Sequence, residues 1–238
     1  MSMEIRDLHG MAEFRLAEDL QRDVWGHDDT ADPADLMMVI QAEGGLAAGA
    51  FEGGRLLCYV FGFPTRDPKV QHSHRLAVRT EARGLRLGAR LKWYQHDWCA
   101  AHGITLIRWT YDPARLANAS LNIATLGATV STYLPDYYGA MAGINAGTDS
   151  DRLMVDWAVG SDRVMAVRAG RAPFSEAEIA RARRIAIPHD FDALLRDDPL
   201  LAAAQRAAMR QALMDAFAEG LMIAGLDRER GEYLLVPR

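Results

Sequence analysis

At 238 residues, half of them hydrophobic, the chain has the apolar material for a sizeable core, in one large domain or a domain and a half. A net charge of -5 argues against holding nucleic acid by an overall field. No apolar run approaches the roughly 20 residues a membrane helix needs. The start, MSMEIRDLHG, lacks a basic segment followed by an apolar one, so a cytoplasmic location is expected. Cys58 and Cys99 are then expected to be buried free thiols, not a disulfide or a metal site.

In chain order, Met3 to Asp7 reads as a short strand. Met11, Phe14, Leu20 and Val24 recur at helical spacing and predict a helix that stops at Gly26. Asp32-Pro33 predicts an N-cap with proline at the first helical position. Two apolar runs, Leu46 to Phe51 and Arg55 to Phe63, flank Glu52-Gly53-Gly54 and predict a hairpin, since glycine supplies the positive φ of tight turns. A strand at His72–Val78, a helix over Gly88–His102 closed by Gly103, and a strand over Ile104–Thr110 follow. After Asp112-Pro113 comes a helix ending near Leu126-Gly127, then strands at Ala128–Tyr133 and Asp151–Val159. Beyond these, Ser175 and Glu178 have capping-box spacing, Arg184–Pro188 is strand-like, Pro199–Gly220 is helical, and Leu221–Leu226 pairs with Tyr233–Val236 as a hairpin. The pattern predicts an α/β chain of the α+β type, with an antiparallel first half and a βαβ centre.

The richest stretch is QHSHRLAVRTEARGLRLGARLKWYQHDWCAAHG, from Gln71 to Gly103. Strand, glycine-bearing turn and helix start succeed one another, an order that aims unpaired helical N–H groups and the positive end of the helix dipole at an anion. Arg83-Gly84-Leu85-Arg86-Leu87-Gly88 resembles the acyl-CoA motif of the GNAT superfamily of acetyltransferases, Gln/Arg-x-x-Gly-x-Gly/Ala, with Arg86 at a usual glycine. The resemblance spans Met3 to Val159 and implies a mixed, mostly antiparallel central sheet flanked by helices. It implies a GNAT-like acyl-CoA-binding domain over 1–160, with 161–238 as a helix-and-hairpin extension packing on the core or on a second subunit. Acetyl-CoA or another acyl-CoA is the implied cosubstrate, without metal. Leu76, Ala77 and Val78 would hold the acetyl carbonyl and pantetheine through their backbone. Arg83, Gly84, Leu85, Arg86, Leu87, Gly88 and Ala89 would hold the pyrophosphate.

Many members place an asparagine near the start of the next helix and a tyrosine on it that protonates the leaving thiolate. Asn118 matches the first and would contact the CoA arm; Asn122-Ile123-Ala124-Thr125 lacks the second. Tyr137 and Tyr138, in Pro135-Asp136-Tyr137-Tyr138-Gly139, are the replacement acids, since a phenol near about 10 suits a thiol near about 8.5; a hydrophobic plug is the alternative. WTYDP, PDYYG, NAG and SDR together resemble a poorly characterised GNAT subgroup, and the loops around Tyr137 and Asn145 are expected to set specificity.

His72 and His74, two apart on a strand, share a face. His74 is a candidate base; a pair of half-exposed strand histidines is the alternative. Asp112 reads as a cap, Glu43 as a residue that could meet an amine, and Trp93, Trp98 and Trp109 as core. The expected activity is acetyl transfer to an amine of a small molecule, with no nucleic acid or membrane partner. Alternatives are a non-catalytic acyl-CoA-binding module and a structural scaffold. The closing hairpin offers an edge for a homodimer.

Overall fold

The computed structural model describes residues 3–27, 30–139 and 148–238, which divide into two compact units, 3–108 and 109–139 with 148–238. The boundary falls inside one strand, between Arg108 and Trp109, and the residues after 160 belong with 109–139 in the second unit.

The first unit holds β1 (Glu4–Asp7), α1 (Gly10–Trp25), α2 (Ala34–Ala42), β2 (Leu46–Glu52), β3 (Arg55–Pro64), β4 (Val70–Val78), α3 (Leu87–Ala101) and the start of β5 (Leu106–Tyr111). Its strands lie in the order β1-β2-β3-β4-β5, antiparallel except for the parallel β4–β5 pair. The Gly53-Gly54 hairpin forms with both glycines at positive φ, 57° and 81°. β2 reads as a continuous apolar run because both of its faces are covered. Ala47 and Phe51 pack with Phe14, Leu20 and Met37 of α1 and α2. Leu46, Ala48 and Ala50 pack with Leu87 and Leu91 of α3.

The second unit contains the end of β5, α4 (Leu116–Ala119) running into a π-helical stretch over Ser120–Thr125, β6 (Thr129–Leu134), β7 (Arg152–Ala158), α5 (Asp162–Arg168), α6 (Glu176–Arg181), β8 (Arg183–Ala186), α7 (Phe191–Asp197), α8 (Pro199–Ala218), β9 (Leu221–Asp227) and β10 (Glu232–Pro237). Strands run β7-β6-β9-β10-β8, all antiparallel. The expected fold class is therefore found: a mixed, mostly antiparallel α/β sheet with flanking helices. The capping box forms at Ser175 and Glu178. α5 and α7 are short helices that the sequence pattern left out.

Three local expectations are corrected. Pro33, not Asp32, occupies the N-cap of α2, because the Asp32 carboxylate turns to His74 and Arg75. Asp112 closes a turn by accepting from Ala114 N at 2.9 Å, while the following helix starts only at Leu116. The closing hairpin has no free edge: β9 meets β6 at Val130–Ile223, and β10 pairs with β8. Cys58 and Cys99 are buried free thiols, as expected, and burial pushes both up to about 12.

Candidate functional site

β4 and β5 pair only over Val70–His72 and Leu106–Arg108, so the second half of β4 has β3 on one edge and no β5 register on the other. Arg79 N donates to Leu57 O of β3 at 2.9 Å. Strand alternation then turns Ala77 toward β3 and the amides of Leu76 and Val78 toward the opposite edge. At His74 the ladder slips: Phe61 faces Arg75 and Gly62 faces Ser73, leaving His74 as the extra residue of a β-bulge.

Beyond β4 a short 3₁₀ turn at Thr80–Ala82 leads to Gly84 at φ 88° and Arg86 at φ 56°, and α3 begins at Leu87. Arg86 thus holds a left-handed conformation at the position where the resembled motif has glycine, at a strain of about 1–2 kcal/mol for a side-chain-bearing residue. Arg86 gives α3 no side-chain cap, and the first helical bond runs from Arg90 N to Arg86 O at 3.0 Å. Among the described residues no acceptor meets the amides of Leu87, Gly88 and Ala89. Arg83, Arg86 and Arg90 stand exposed around them with no ion-pair partner among those residues. Gly88 has ordinary helical geometry, and a Cβ there would lie in van der Waals contact with Val78 Cγ2 at 3.5 Å and Leu76 Cδ2 at 3.6 Å. Three free amides, a helix dipole and nearby guanidinium groups suit a phosphate. Leu85, 55 % exposed, lies beside them.

Under β4, on the α3 side, polar groups are sealed in. Lys92 Nζ donates to Ser73 Oγ at 3.0 Å and Gln95 Oε1 at 2.7 Å, and Gln95 Nε2 donates to Gln71 Oε1 at 2.7 Å. Burial pulls Lys92 down to about 7. Gly62 is required here: a Cβ would sit 2.8 Å from Gln71 Oε1 and 3.0 Å from Gln95 Nε2. Beyond a lysine on the inner face of a helix, nothing local in the sequence signals this network.

On the α1–α2 side, His72 and His74 do share a face, with ring centroids 6.3 Å apart. His72 stacks on Phe63 at 4.9 Å, and burial, then the neighbouring His74, Lys92 and Arg108 charges, lower it to about 4. It is a neutral imidazole at ordinary pH. His74, by contrast, is partly exposed and lies 3.3 Å from Asp32 Oδ1 through Nε2. Arg75 Nε is 3.3 Å from Asp32 Oδ2, its Nη2 donates to Thr30 O at 2.8 Å, and its guanidinium lies over Trp25 at 4.7 Å. Gln21 fixes the Asp32 backbone, its Oε1 accepting from Asp32 N at 2.8 Å. Asp32 is thus the residue that sequence reasoning placed wrongly; its partnership spans 42 positions and has no local signature.

The remaining candidates belong to the second unit. Asn118 is half-buried, its N–H donating to Arg115 O at 3.0 Å. Asn122 is buried and accepts from Trp109 Nε1 at 3.2 Å, a structural use. Tyr137 and Tyr138 are 48 % and 50 % exposed and meet edge-on at 4.7 Å, so they form no buried plug. Tyr138 Oη and Thr110 Oγ1 share a hydrogen bond at 3.2 Å. Asn145 and the 143–147 loop lie outside the described residues. Among the described residues no group of three or more His, Cys, Asp or Glu is placed to hold a metal.

In fold, this chain is similar to solved GNAT acetyltransferases. A phosphinothricin acetyltransferase from Sinorhizobium meliloti, solved with acetyl-CoA, matches over 74 % of this chain and 100 % of its own at TM-score 0.55 and 18 % identity. A GNAT-family acetyltransferase from Streptococcus pneumoniae matches over 67 % and 100 % at TM-score 0.55 and 13 % identity. An aminoglycoside 6'-N-acetyltransferase complexed with coenzyme A matches over 68 % and 98 % at TM-score 0.53 and 16 % identity. No family model and no curated protein matches the sequence.

Proposed function

We propose that the protein transfers an acetyl group from acetyl-CoA to an amine of a small molecule. The observation that carries this reading is the uncapped start of α3, three free amides beside Arg83 and Arg86, at the end of a strand whose outer edge is open. Two proteins of this fold, an aminoglycoside 6'-N-acetyltransferase solved with coenzyme A and a phosphinothricin acetyltransferase solved with acetyl-CoA, support the reading. In this reading the amides of Leu87, Gly88 and Ala89 bind the pyrophosphate, and those of Leu76 and Val78 face the acyl carbonyl. As the C–N bond forms and the C–S bond breaks, His74 accepts the amine proton and Asp32, 3.3 Å away, stabilises the imidazolium. His72, held neutral by burial, is not the base's charged competitor. The proton for the departing thiolate is assigned to Tyr137 or Tyr138 on chemistry alone. Work in the cytoplasm, and as a homodimer, is part of the same proposal.

A second reading, acyl-CoA binding without turnover, is favoured by the lack of any tyrosine over Leu116–Thr125. Calorimetric titration with acetyl-CoA, with Gly88→Glu as control, tests the shared premise. Binding lost in the variant, followed by acceptor-dependent thiol release, supports the enzyme. Binding without release from any amine supports the second reading. No binding would remove both.

A further inference from the structure

We propose that Arg206, Arg115 and Arg152, gathered around Asp112 in the second unit, bind a small oxyanion, the carboxylate or phosphate group of a free ligand. This does not rest on the acetyl-transfer reading. Arg206 projects from the middle of α8 and its side chain is only 2 % exposed. Nη2 donates to Asp112 Oδ2 at 2.9 Å, and the guanidinium lies over the Phe191 ring at 4.6 Å. Nε and Nη1 are buried and have no hydrogen-bond partner among the described residues. A guanidinium cannot shed its proton to escape such a site, so each unserved N–H carries its full desolvation cost until an acceptor arrives.

Asp112 is poorly placed to supply what is missing. Its Oδ1 is taken by Ala114 N, and its Oδ2 is shared between Arg206 and Arg115, whose Nε lies 3.6 Å away. Arg115 reaches outward to Asp192 Oδ1 at 2.6 Å, a carboxylate 55 % exposed. Arg152, buried at the start of β7, donates to Asp151 O at 2.7 Å and lies 5.1 Å from the Tyr138 ring. Burial lowers its pKa; Asp112 opposes that, while Arg206 and Arg115 add to it. Arg206 and Arg115 therefore draw on one inner carboxylate, with Arg152 adding positive charge beside them, and Arg206, the deepest, keeps two donors unused. The half-exposed Tyr138 marks the solvent side of the cluster. An oxyanion is the partner this chemistry selects, because it brings both acceptor atoms and the counter-charge.

The test is a thermal-shift titration of the whole protein with inorganic phosphate and, separately, with sodium acetate, at an ionic strength held constant with sodium chloride. The expected result is a saturable rise in Tm with one of the two, identifying phosphate or carboxylate, and a rise at least tenfold weaker in Arg206→Met. Phosphate held at the start of α3 would act equally on both proteins, so only the difference counts. Arg115→Gln, at a side chain partly in solvent, keeps the test open should Arg206→Met not fold; its apparent Kd should rise about tenfold. No saturable response in the parent protein, or an unchanged one in whichever variant folds, would overturn the proposal.

Discussion

Helices α3 and α8 each bury one cation against a sheet, and they differ in where a hydrogen-bonding demand is left open. Lys92 of α3 is held by Ser73 and Gln95 and relieves the cost of burial by releasing its proton near pH 7. Arg206 of α8 has one acceptor, two idle donors and no proton to give up. The ends are reversed. α8 starts with Asp198 accepting from Leu201 N at 2.9 Å and Pro199 in its first turn, whereas α3 starts with three amides that meet no acceptor among the described residues. So the helix whose interior is settled has an open end, and the helix whose end is settled has an open interior. In both cases an anion is the partner we propose.

The largest effect that would sharpen this contrast lies at Lys92. Between about pH 7 and the ordinary lysine value of 10.5, the native lysine is neutral while the unfolded chain keeps its proton. The unfolded state then binds more protons, and stability rises with pH by up to about 1.4 kcal/mol per unit. Below about pH 7 both states are charged and the burial cost stands in full. Lys92→Met should flatten that slope in urea unfolding from pH 6 to 9; an unaltered slope would mean that α3 holds its cation as α8 does.

Next in size, Arg83→Ala should weaken acetyl-CoA binding by about 2 kcal/mol, as a lost charge-assisted bond would, and Arg90→Ala by far less. Equal losses in calorimetry would remove the distinction between a phosphate turn and a merely basic surface. Asp198→Ala should lower stability by about 1 kcal/mol through the lost cap and leave acetyl-CoA affinity unchanged. A drop in affinity would show that the two helix starts do not have separate roles. The smallest change is at Arg86→Gly, where relief of the left-handed strain, about 1–2 kcal/mol, is offset by about 0.5–1 kcal/mol of glycine entropy. A net gain of a few tenths in denaturant unfolding is expected; a loss would mean that the Arg86 side chain is held by the turn.

Much of the fold was legible because its signals are local. The apolar runs of β2 and β3 around Gly53-Gly54, the helical spacing of Phe14 and Leu20, and the Ser175–Glu178 box each act within a few residues, where backbone geometry is dictated by neighbours. The turn that leads from β4 into α3 was legible for the same reason, since Arg83 to Gly88 lie in one continuous stretch. What tertiary structure alone decided depends on partners far apart in the chain. Asp32 follows local rules for a helix cap and instead faces His74, because strand β4 presents an ionisable group that repays it more. Arg206 and Asp112, 94 positions apart, likewise meet only through packing. Sequence spacing fixes which face a residue takes; the energy of a buried charge depends on what the fold sets against that face.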